Sequence, residues 1–192
     1  MFRNQTDSYK FGVKNIIVKR YIISGIASIF LLLIIFVHGA ISQESQNKDF
    51  LLRSSLKLSL GEFYKSSDPI SLFYFERNYE PFWIENKKKL DSLSRSLSET
   101  GYHGLPDSRY PLKELSQATF ETEPAQKAKL ELMATEAFLL FAQDISGGIL
   151  NPNMIDNNIN VVPQRKDTNM LLTALTDNLD IDSFFKNLYP NS

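Results

Sequence analysis

Three clustered glutamates and one loop histidine are the residues in this chain whose types and spacing could do chemistry. Glu76, Glu80 and Glu85 lie within ten positions of one another. Paired carboxylates are what glycoside hydrolysis needs, one to protonate the leaving oxygen and one to attack or to activate water. Glu76 and Glu80 are four apart and would share a helix face, but Pro81 follows, and the residue before a proline avoids the helical region. No catalytic pair is therefore expected. His103 stands near Asp107 and Ser108, where an imidazole could act as a base, but a lone loop histidine is expected simply at the surface. The chain has no cysteine, which removes thiolate nucleophiles, thiolate metal sites and disulfides together. No HExxH, glycine-rich phosphate loop or metal-ligand spacing occurs. The expectation is a protein without catalytic residues, cofactor or metal.

The elements that would position these residues are helical. Phe50–Tyr64 is amphipathic, with Leu52, Leu56, Leu60 and Phe63 on one stripe. Ser67-Asp68-Pro69 reads as a helix start, a capping side chain followed by a proline that needs no amide partner, and the helix is expected to run to Asn78. Asn86–Thr100 turns Leu90, Leu93 and Leu97 inward, with Gly101 as its stop. A short turn surrounds Leu112 and Leu115. Pro124–Ser146 should be the central helix, because Leu130, Ala134, Ala137, Phe138, Phe141 and Ile145 recur at spacings of three and four. Two short helices follow, from Asp167 to Thr176 and from Asp180 to Leu188. Residues 156–166 lack periodicity. No run of strand period appears, so the fold class is all-α, an irregular bundle of about six to eight helices behind an N-terminal signal or anchor helix.

That first segment has its own character. Residues 1–42 carry Arg3, Lys10, Lys14, Lys19 and Arg20 against Asp7, a net of +4, and the whole chain is at −1, so the remainder stands at −5. A mildly acidic domain offers nucleic acid no electrostatic reason to bind. From Tyr21 to Val37 the chain has no charge, and 17 helical residues extend about 26 Å, close to the hydrocarbon thickness of a bilayer. Ala40-Ile41-Ser42 fits a small-residue cleavage site before Gln43. Cut there, the segment is a signal peptide; retained, residues 21–37 anchor the chain in the inner membrane. The basic flank stays cytoplasmic in both cases. The expected organisation is residues 1–42 as signal or anchor, 43–49 as a polar linker and 50–192 as one helical domain.

Within the domain, Phe73-Tyr74-Phe75-Glu76-Arg77-Asn78-Tyr79-Glu80-Pro81-Phe82-Trp83 has six aromatics in eleven residues. Such density can line a binding groove, but core filling where one helix hands over to the next is the favoured reading. Arg77 is either a solvated stack on that face or an anchor for a carboxylate. Lys87-Lys88-Lys89 reads as a solvated helix turn. Asp144 can reach back to a basic residue of a neighbouring helix or cap the loop after it.

FYFERNYEPFW (73–83), GYHGLPDSRY (101–110) and AQDISGGILNP (142–152), in that order behind an export segment, resemble the scaffold domain of large bacterial L,D-transpeptidases. The matching positions are Phe73, Tyr74, Arg77, Tyr79, Pro81 and Trp83; Gly104, Leu105 and Tyr110; and Asp144, Gly148 and Pro152. Gly147 and Ile149 stand where basic residues are common in that family, and Asn151 where aspartate is common. The resemblance implies a non-catalytic scaffold, periplasmic or held in the inner membrane facing the periplasm, associated with peptidoglycan cross-linking. The family's catalytic domain carries a histidine and a nucleophilic cysteine, which have no counterpart here, so a truncated or split form is expected. Its partners would be peptidoglycan or a separate L,D-transpeptidase catalytic polypeptide. A membrane-anchored helical adaptor unrelated to the cell wall is the alternative.

Overall fold

Seven α-helices make up the fold in the computed structural model, which describes residues 5–117, 123–150, 164–176 and 180–188, with side chains from residue 30 onward. No strand occurs among the described residues. The chain divides into two units, Met1–Asp49 and Phe50–Ser192. The fold is all-α, as the hydrophobic periodicity requires.

Helix α1 spans Gln5–Phe63 without a break. The polar stretch 43–49 is helical, and Glu44 and Lys48, four apart, pair across it at 2.7 Å. In the first unit, eight consecutive apolar side chains from Phe30 to Val37 are exposed. Among the described residues no helix is long and apolar enough to cross a membrane. The side chains of residues 21–29, the first half of the uncharged run, lie outside the described set.

In the second unit, the last turns of α1 bury Leu52, Leu56 and Leu60. Helix α2, Pro69–Glu76, starts at Asp68, whose carboxylate accepts from the Ile70 amide at 3.0 Å. It ends two residues before Asn78, the expected end. Asn78 and Tyr79 both take the left-handed conformation, with φ of 51° and 59°, and the Tyr79 amide donates back to the Tyr74 carbonyl at 2.7 Å. That reversal, and not the proline two residues on, turns the chain. Helix α3, Lys87–Ser98, is capped by Asn86 and buries Leu90, Leu93 and Leu97 on one face. A 3-10 turn, Thr100–His103, continues it past Gly101. Of the two glycines in this loop, Gly104 has the positive φ, at 67°, and it ends the turn there because glycine takes that angle without the strain that a Cβ brings.

A second 3-10 turn, Asp107–Arg109, leads to α4, Leu112–Ser116. Helix α5, Pro124–Gly147, is the axis of the unit. It buries Ala128, Leu132, Ala134, Ala137, Phe138, Leu139, Phe141, Ala142 and Ile145, a stripe too wide for a surface helix. Helices α6, Thr168–Thr176, and α7, Ile181–Leu188, close the bundle with Leu171, Leu172, Leu175, Ile181 and Phe185. Helix α6 packs on α2 and α5, and α7 packs on α3 and α5.

Candidate functional site

Two acids of α5 are buried, and each gathers one of the two aromatic segments onto the helix. Glu131 has no exposed surface. Its Oε1 accepts from the Phe82 amide at 2.6 Å and the Tyr74 hydroxyl at 2.7 Å. Its Oε2 accepts from the amides of Trp83 and Ile84, both at 3.0 Å. Three successive backbone N–H groups thus converge on one carboxylate. They can do so because residues 82–84 lie between α2 and α3, where no helical carbonyl accepts from their amides. Burial raises the Glu131 carboxyl above its ordinary value, and the backbone donors and the Tyr74 hydroxyl work against that rise.

Thr135, one turn further along α5, completes the cluster. Its hydroxyl lies 2.6 Å from the Tyr74 oxygen and accepts from the Trp83 indole N–H at 2.9 Å. A relay of donors from Trp83 through Thr135 and Tyr74 ends on Glu131 and leaves none of these polar atoms unsatisfied. No buried side-chain polar atom among the described residues lacks a partner. The rings around the cluster pack edge to face: Phe73 on Tyr74 at 5.0 Å, and Phe82 on Trp83 at 4.8 Å.

The second acid, Asp144, is 2% exposed. Arg109 grips it with Nε at 2.5 Å and a terminal nitrogen at 3.2 Å, and the Tyr110 hydroxyl donates at 2.9 Å. The guanidinium side chain is 36% exposed, so one face of this pair meets solvent. Burial, then the hydrogen bond to Asp144, push the Tyr110 phenol upward. Tyr110 also packs edge to face on Phe141. Phe141 meets Phe185, Phe185 meets Phe138 and Phe138 meets Trp83, with centroids 4.8, 5.4 and 5.7 Å apart. An aromatic chain therefore links the two acids along α5.

The residues singled out by sequence fall into distinct places. Phe73, Tyr74, Pro81 and Trp83 are buried. Arg77 lies over the rings of Phe73 and Phe82, its guanidinium 5.4 and 5.5 Å from their centroids. Tyr79 is half-buried and carries Lys57 over its ring. Leu105 is buried just past Gly104. Gly148, at φ 76°, donates its amide to the Asp144 carbonyl at 2.8 Å and closes α5. Pro152 and Asn151 lie outside the described residues.

The candidate catalytic groups do not assemble. Glu76 lines one surface depression, and Glu80 and Glu85 line another. His103 is exposed beside Phe141, while Asp107 accepts from the Thr100 hydroxyl at 2.5 Å. Among the described residues no group of three acids or histidines could hold a metal ion. Lys89 departs from the expected solvated turn: it is half-buried over the Phe82 ring, 4.0 Å from its centroid.

Glu131, Thr135 and Arg109 were not anticipated as site residues. Glu131 had a signal, since it sits three residues before Ala134 and seven before Phe138, a charge on the face the periodicity turns inward.

A family model described as Scaffold domain matches residues 68–192, more than half the chain. The match covers all three segments that carry the resemblance to the L,D-transpeptidase scaffold. No curated protein and no solved structure matches the chain.

Proposed function

We propose, from the premise that this chain belongs to the Scaffold domain family, that it is a non-catalytic, exported scaffold of an L,D-transpeptidase-like cell-wall system. The observation that carries this reading is the use made of the motif residues. Tyr74, Trp83 and Tyr110 hold Glu131 and Asp144, with Arg109 beside them on Asp144, which supports reading the shared pattern as a frame. The uncharged run from Tyr21 to Val37 behind a basic flank supports export. Eight exposed apolar side chains in that run suit a lipid surroundings better than water. On this reading the domain stands in the periplasm, tethered to the inner membrane or released by cleavage after Ser42. The histidine and cysteine of acyl transfer come from an L,D-transpeptidase catalytic domain that it positions on peptidoglycan.

Sedimentation with purified sacculi tests the proposal. The full chain in detergent is expected to pellet with sacculi, and to pellet more completely when an L,D-transpeptidase catalytic domain is added. A chain that stays in the supernatant under both conditions is an adaptor without a cell-wall role.

A further inference from the structure

The last turns of α1 carry two apolar faces, and the domain covers only one. Leu52, Leu56 and Leu60 are buried in the core. Leu51 and Leu58 point away from it and are 43% and 70% exposed. Ser54 and Gly61 share their side, so the uncovered face reads Leu51, Ser54, Leu58, Gly61, at spacings of three, four and three. That is the a/d spacing of a coiled-coil seam, narrower than the stripe by which a surface helix docks on its own core. A β-carbon added at Gly61 would meet nothing within 4 Å, and a bare position of that kind lets another backbone approach closely.

The charges beside the seam select the partner. With Leu51 and Leu58 at a and Ser54 and Gly61 at d, Lys57 takes a g position and Glu62 the e position five residues on. Both are exposed. In a parallel pair of identical helices, g of one chain faces the following e of the other. Lys57 of each copy would therefore meet Glu62 of the other, once on either side of the two-fold axis. Lys57 lies over the Tyr79 ring, 5.4 Å from its centroid, a contact that leaves its charge in place. A bilayer surface is a poorer match, because Glu62 edges the seam and Ser54 and Gly61 interrupt its apolar area. On the export reading the basic flank also sets every copy in one direction, as a parallel pair requires. We propose that the face formed by Leu51, Ser54, Leu58 and Gly61 pairs with the same face of a second copy of this chain in a parallel two-helix seam. The inference goes beyond the scaffold reading, and its failure would leave the outcome with sacculi untouched.

The chain has no cysteine, so a single introduced one reports on its own neighbours. In the full chain in micelles, L58C is expected to oxidise to a disulfide-linked dimer, because a parallel seam places position 58 opposite itself. S116C, at an exposed position of α4, is expected to stay monomeric. K57E and E62K each exchange two attractions for two repulsions and should weaken dimerisation about tenfold, read by sedimentation equilibrium. The double variant K57E/E62K should restore it, which separates lost pairing from lost folding. An L58C chain that links no faster than S116C would overturn the proposal. So would single reversals that leave the dimer unchanged, or a double variant that pairs no better than either single one.

Discussion

Glu131 and Asp144 sit on the same helix, thirteen residues or about 20 Å apart, and the protein treats them in opposite ways. Asp144 has a counter-charge, the Arg109 fork, and one side of that pair is wet. Among the described residues Glu131 has no cation within bonding reach, and three amides and a phenol hold it. A sealed carboxylate held by neutral donors depends on every one of them, because nothing else offsets its desolvation. In the second pair the exposed partner is the Arg109 guanidinium, which can fall back on water while Asp144 itself stays buried. The first cluster fixes the path of the chain at residues 82–84, and the second fastens a loop.

The contrast predicts unequal losses. E131Q places an amide nitrogen where one carboxylate oxygen accepts two donors, and it should lower the unfolding free energy of the full chain by about 3–5 kcal/mol in urea. D144N keeps an acceptor for Tyr110 and leaves Arg109 reachable by water, so its loss should be about 2 kcal/mol. Equal losses from the two variants would erase the distinction between the clusters.

The pH dependence sharpens it. The Glu131 carboxyl is raised above 4.5 in the folded state, so between 4.5 and the raised value the folded chain holds more protons than the unfolded one. Its stability falls as pH rises through that window, with a slope of at most about 1.4 kcal/mol per pH unit, and the contribution levels off above it. The gap between the original chain and E131Q should therefore widen as pH drops from 7 toward 4.5. A gap that narrows would contradict the assignment. The smallest effect belongs to a half-buried acid with an exposed partner. Asp182, which ties α7 to α3 through Arg95 and Ser92, should cost about 0.5–1 kcal/mol as D182N.

Much of the frame was legible in the sequence because helices announce themselves locally. The leucines of α3 and the alanines and phenylalanines of α5 recur with helical period, and Asp68 before Pro69 marks a start by type alone. The finer turns were not legible. Asn78 and Tyr79 take the left-handed conformation, which asparagine visits readily and tyrosine rarely, so only the first carries a local signal. Gly104 rather than Gly101 takes the positive φ, and two glycines in one loop cannot be ranked without the tertiary contacts. At the acids, the motif segments pointed to Tyr74, Trp83, Tyr110 and Asp144. The partner of the first cluster, Glu131, is 48 residues from Trp83, and no local pattern joins them.

Gly147 carries a consequence for how this chain can vary. A β-carbon there would lie 2.8 Å from the backbone nitrogen of Arg165 and 3.0 Å from its Cα, so the segment bearing Arg165 lies against α5 only while position 147 is bare. The Arg165 guanidinium donates to the carbonyl of Gly148 at 2.9 Å. A positive charge thus reaches the end of α5 from a separate stretch of chain. The two positions are exclusive tenants of one site: any side chain at 147 requires residue 165 to move away.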